Sequence, residues 1–194
     1  MEELEEQKPS SQESLEIIRT MIAKAKGDFK ANAFHFLWWG WIVLLGSLGH
    51  YALLTFTSVA HPQLAWLVII FGIAGSITKG IKSNKEARVK TYTGKIYGVI
   101  WISFLVNYFI LLFFLAKINY YITPLILIMA AASTFISGSM MRFKPIQIGA
   151  MCIWIAGIAA FMVSLPNQLL ITAMAIFLGY LVPGYLLKNS NANK

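Results

Sequence analysis

The chain has 194 residues, of which 58% are hydrophobic and only 12% charged. Soluble domains carry about 25% charged residues, so this composition excludes an ordinary soluble globule and a disordered chain alike. Sixteen basic and eight acidic residues leave a net charge of +8. The cations flank apolar stretches, which points to anionic lipid headgroups and away from nucleic acid.

Residues 1–10 are polar. Ser10 with Glu13 fits a capping box just after Pro9. Leu15, Ile18, Ile22, Ala25 and Phe29 then recur at three- and four-residue steps, one face of a helix, with Arg19, Lys24, Lys26 and Lys30 largely off it. The expectation is a cytoplasmic amphipathic helix over 11–30 lying on the membrane surface, with Gly27 marking the bend into the bilayer. A plain extension of the first spanning helix, and a helix packed on another protein, stay open beside it.

Six apolar segments follow, at 34–56, 64–81, 97–116, 123–141, 146–165 and 169–187. Each is long enough to cross a bilayer at about 1.5 Å per residue. The stretch ahead of Ser58-Val59-Ala60 is too long for the core of a signal peptide, so it is read as a retained helix. The connections at His61-Pro62, 119–123, Lys144-Pro145 and Pro166-Asn167 are short, which predicts antiparallel neighbours. The fold class expected is therefore all-α and polytopic. A tail and amphipathic helix (1–33) precede a six-helix transmembrane bundle (34–187), and a tail (188–194) closes the chain. The halves show no convincing repeat.

Charge orients this bundle. Fifteen of the sixteen cations fall in the N-terminal region, the loop 79–95, the turn 142–145 and the C-terminus; Lys117 alone falls on the opposite side. The positive-inside rule then places both termini in the cytoplasm, and an odd number of spans would break the pattern. Aromatic residues gather at both borders. Phe34, Phe36, Trp38, Trp39, Trp41, Tyr92, Tyr97, Trp101, Tyr180 and Tyr185 lie towards the cytoplasmic side, and Tyr51, Trp66, Tyr120 and Tyr121 towards the other. They read as interfacial anchoring belts.

Sites of chemistry are few. Segments two to six hold no deep charge, and there is no HExxH and no Gly-rich phosphate loop. His35, His50 and His61 lie at different depths, which argues against a metal site. No cofactor and no enzymatic activity are expected. Ser47 and His50 share a helix face, either as a nucleophile–base pair or as a hydrogen-bonded histidine within the bundle. Asn107 sits mid-span, and the hairpin apex near Tyr120 sets it level with Ser133 and Thr134. These three are expected to form either an interhelical hydrogen bond or the polar lining of a path. Lys79, Lys82, Lys85, Arg88, Lys90 and Lys95, with Glu86 among them, form the most basic loop, a clamp for anionic lipid or a partner's dock. Pro183-Gly184 near the end of the last segment reads as a bend, or as a helix break that bares carbonyls to an ion. Cys152 is the single cysteine, read as a small buried hydrophobe.

The runs Leu15-Glu-Ile-Ile-Arg-Thr-Met-Ile-Ala, Phe36-Leu-Trp-Trp-Gly-Trp41 and Pro183-Gly-Tyr-Leu-Leu187 resemble those of uncharacterised small multi-pass bacterial inner-membrane proteins. The resemblance covers most of the chain and implies a bacterial inner-membrane location, with no activity or site residues to carry over. The function expected from the sequence is a non-enzymatic membrane component acting through lipid or protein contacts. Its partners are the bilayer, anionic lipids at the cytoplasmic face, and a second copy or another membrane protein. A small-solute or ion transporter is the alternative.

Overall fold

The computed structural model describes residues 11–86, 92–119 and 121–190. Among them every regular element is helical. The first helix, α1 (Ser11–Phe56), leads through a short 3-10 turn (Pro62–Leu67) into α2 (Val68–Glu86). After it come α3 (Tyr92–Phe113), α4 (Ile122–Met140), α5 (Lys144–Ala160) and α6 (Leu165–Ile176). A single π-helical segment (Phe177–Leu181) joins α6 to α7 (Val182–Ser190).

Five stretches are long and apolar enough to cross a membrane: Ala33–Phe56, Pro62–Ile81, Gly94–Phe113, Ile122–Met140 and Leu165–Asn189. They are compatible with an integral membrane protein. The sixth expected segment, 146–165, is represented by α5, which is apolar but shorter. It closes at Ala160 because the next residues, Phe161 to Ser164, form the turn into α6. The helix expected over 11–30 is not a separate element: α1 runs without interruption through Gly27 into the first apolar stretch.

The core lies between α1, α4, α5 and the α6–α7 unit, where Phe36, Leu127, Ala131, Ile146, Ile153, Ile176 and Tyr180 are buried together. Small residues make it possible. A Cβ on Gly149 would lie 2.7 Å from the carbonyl oxygen of Gly179, and one on Gly179 would lie 2.5 Å from Ile153 Cδ1, so α5 and the π segment meet backbone to backbone. The π segment itself follows from Pro183. Proline lacks the N–H that would bond the carbonyl four residues earlier, and its ring crowds that carbonyl. That carbonyl belongs to Gly179, and it faces Gly149. The helical run stays continuous there, and the carbonyl lies against α5.

α4 and α5 form a tight hairpin. Arg142 takes a left-handed φ of 50°. Its N–H bonds Ser139 O at 3.1 Å, and the Phe143 N–H bonds Gly138 O at 3.0 Å. This is a Schellman cap, with arginine where glycine is usual. Gly138 lets the two helices of the hairpin close, since a Cβ there would lie 2.8 Å from Ile146 Cγ2.

α2 and α3 are held differently. Trp38 Nε1 donates to Gly72 O and Trp39 Nε1 to Ser76 Oγ, both at 3.0 Å, and Gly75 makes room for the Trp38 ring. α3 packs on α4 and reaches the core chiefly through Trp101, whose ring meets Phe36 and Tyr180 edge-on. Several aromatics read as belt anchors are thus structural members of the bundle: Phe36 and Tyr180 are buried, and Trp38 and Trp39 bind α2.

Candidate functional site

Ser47 and His50 lie one turn apart on α1, and both are buried. Ser47 Oγ donates to Leu169 O on α6 at 2.7 Å. Trp66 Nε1 donates to His50 Nδ1 at 3.1 Å. An indole is a donor only, so Nδ1 must accept, and the neutral ring carries its proton on Nε2. The serine proton therefore goes to a backbone carbonyl, and the imidazole nitrogen that would receive a proton is already occupied. The two residues join helices: Ser47 ties α1 to α6, and His50 ties α1 to the turn that precedes α2. Near them Gln168 is buried at the start of α6; its Nε2 bonds Val163 O at 3.1 Å, and its Oε1 has no partner among the described residues.

Thr134 is fully buried on α4. Its Oγ1 lies 2.7 Å from Ala130 O and 3.1 Å from the Tyr180 hydroxyl. A threonine has one hydroxyl proton. With it on Ala130 O, Tyr180 donates to Thr134 Oγ1, and both groups are satisfied. Ser133 is buried too, and its carbonyl accepts from Ser137 Oγ at 2.7 Å. Asn107 is on the outward face of α3, where Nδ2 donates to Ser103 O of its own helix at 2.8 Å. The structure brings Thr134 and Tyr180 together. It does not bring Asn107 to Ser133 and Thr134, because α3 turns the amide away from the core.

A second polar group was not foreseen. Around the Trp101 ring stand His35 at 5.3 Å, Tyr97 at 6.1 Å and Tyr180 at 6.4 Å between centroids. Tyr97 Oη and Trp101 Nε1 are buried there without a hydrogen-bond partner among the described residues. The available signal was the four-residue spacing of Tyr97 and Trp101, which sets both on one face of α3.

Among the basic residues, Lys79 holds its ammonium 5.2 Å from the Phe34 ring centroid, a cation–π contact within the chain. Lys95 is exposed. Arg88 and Lys90, and the side chains of Lys82 and Lys85, lie outside the described residues. No group of three His, Cys, Asp or Glu that could hold a metal occurs among the described residues. Cys152 is half-buried on α5. No protein-family model, curated protein or solved structure matches the chain.

Proposed function

We propose that this protein is a multi-pass component of a bacterial inner membrane that acts through its lipid and protein contacts and not by catalysis. Six helices cross the bilayer, and both termini lie in the cytoplasm. The observation that carries the reading is the placement of fifteen of sixteen cations on one side of an alternating series of spans. Packing supports the sixth crossing. α5 has 17 residues, about 25 Å of helix, near the lower limit for a hydrocarbon core of about 30 Å. It lies along α4, and tight turns join it to α4 and to α6, both of which belong to stretches long enough to span.

The non-catalytic part rests on how the polar side chains are used. Ser47, His50, Thr134 and Tyr180 are each engaged in a bond that joins helices. A solute path through Asn107, Ser133 and Thr134 gains no support from an amide that faces outward while the two hydroxyl residues face inward. The contacts left to act are the basic cytoplasmic loop, with Lys79, Lys82, Lys85, Arg88, Lys90 and Lys95, on anionic headgroups, and the outward faces of α2 and α3 on lipid or protein.

Neutralising the loop tests this. With Lys82, Lys85, Arg88 and Lys90 replaced by Gln, the purified chain should retain fewer anionic lipids in native mass spectrometry. A reporter fused after Glu86 should also lose its uniform cytoplasmic signal. Unchanged lipid retention together with unchanged topology would contradict the reading.

A further inference from the structure

We infer that the outward face of α3 is a self-association surface, on which Asn107 of one copy pairs with Asn107 of a second copy of this chain. The inference rests on the membrane reading above and adds the partner to it.

The most apolar stretch of α3 has no fully buried residue, and it meets the core chiefly through Trp101. Along it, Ile100, Ser103, Asn107 and Ile110 recur at alternating three- and four-residue steps, the seam spacing of paired helices, and Phe114 follows at the next step in the turn just past the helix. All but Ile100 are exposed. Asn107 uses one N–H on Ser103 O. A primary amide has a second N–H and a carbonyl oxygen, and among the described residues neither of these has a partner. Acyl chains offer none, so an amide at this depth is costly unless another protein group meets it.

A second copy meets it with nothing added. Two primary amides are mutually complementary: each gives its remaining N–H to the other's Oδ1. Copies inserted in the same orientation hold Asn107 at the same depth, so a two-fold axis along the membrane normal brings the residue against itself. Apolar burial does not drive helices together in lipid, whereas hydrogen bonds and close packing do. The amide therefore sets which face associates.

The test uses the full chain carrying Cys152→Ser, reconstituted at high dilution in phosphatidylethanolamine–phosphatidylglycerol vesicles. Single-molecule photobleaching counts copies per particle, and oxidation reports proximity. Ser103→Cys and Ile110→Cys should each give disulfide-linked dimers, and Ile73→Cys on the outward face of α2 should not. Asn107→Leu should weaken association about ten-fold, while Asn107→Gln keeps it within about two-fold. A monomer at every dilution, association unchanged by Asn107→Leu, or cross-linking through Ile73→Cys alone would overturn the inference. Failure of the membrane reading itself is separate, because alkaline carbonate would then release the chain from native membranes.

Discussion

The two parts of this bundle differ sharply in how they are held. In the most apolar stretch of each candidate span, the share of residues buried inside the chain is 56% for Leu165–Asn189, 44% for Ile122–Met140 and 22% for Ala33–Phe56. It falls to 6% for Pro62–Ile81 and 0% for Gly94–Phe113. In the first part, glycine and alanine let backbones touch. In the second, a few tryptophans reach across and large side chains point outward. Lipid is as apolar as leucine, so hydropathy alone gives no reason for spans to associate. Close approach and hydrogen bonds decide it: backbone-to-backbone contact is concentrated in α5 and the π segment, whereas α2 depends on hydrogen bonds from Trp38 and Trp39. α2 and α3 keep the smallest buried share of the candidate spans and so the widest outward faces.

Glycine substitutions give the largest separation between these parts. Gly149→Ala puts a methyl 2.7 Å from a backbone oxygen that cannot turn aside, and it should lower unfolding stability by about 3 kcal/mol. Gly98→Ala on α3, where a Cβ meets nothing within 4 Å, should not lower it and should raise it by up to about 1 kcal/mol. Thermal unfolding in one detergent compares the two. Equal effects would erase the distinction.

The tethers of α2 come next. Trp38→Phe removes the bond to Gly72 O and should cost about 1 kcal/mol. The loss should be local: amide exchange rises along α2 while the α4–α5 hairpin keeps its protection. Exchange rising equally in both would mean that α2 is part of the same cooperative unit. Within the packed part, Tyr180→Phe and Thr134→Val each remove the bond between α4 and the π segment. Each should cost about 1 kcal/mol, and the double variant should cost no more than about 1.5 kcal/mol, since one interaction is lost only once. The smallest effect is a gain. Arg142→Gly relieves the left-handed φ of 50° and should stabilise the hairpin by about 1 kcal/mol, seen as a higher unfolding midpoint.

Much of the architecture was open to reading because hydropathy acts locally. Runs of apolar residues between turn residues mark helices whatever surrounds them, and the all-helical fold follows. The faces of those helices were harder. Phe36, Trp38, Trp39 and Tyr180 look like interfacial anchors by position, since the same amphipathic rings suit a headgroup border or a helix contact. Only tertiary packing distinguishes the two. Asn107 was placed by its depth along the chain, but depth says nothing of rotation about the helix axis, and rotation turns its amide outward. α5 stops short of the expected limit at 165 because Phe161, Met162 and Val163 are apolar yet form a turn. Pro166 reads as part of a connection by sequence but sits in the first turn of α6, where its missing N–H costs nothing.

The α5 crossing is the step on which the even number of spans and the shared side of the termini depend. Single cysteines at Arg142 and at Ser164, on a Cys152→Ser background, flank that helix and test it with a membrane-impermeant thiol reagent. The account predicts that Arg142→Cys reacts only when the reagent is applied from the cytoplasmic side, and Ser164→Cys only from the opposite side. Reaction of both from one side would show that α5 does not cross, and would leave five spans with the termini apart.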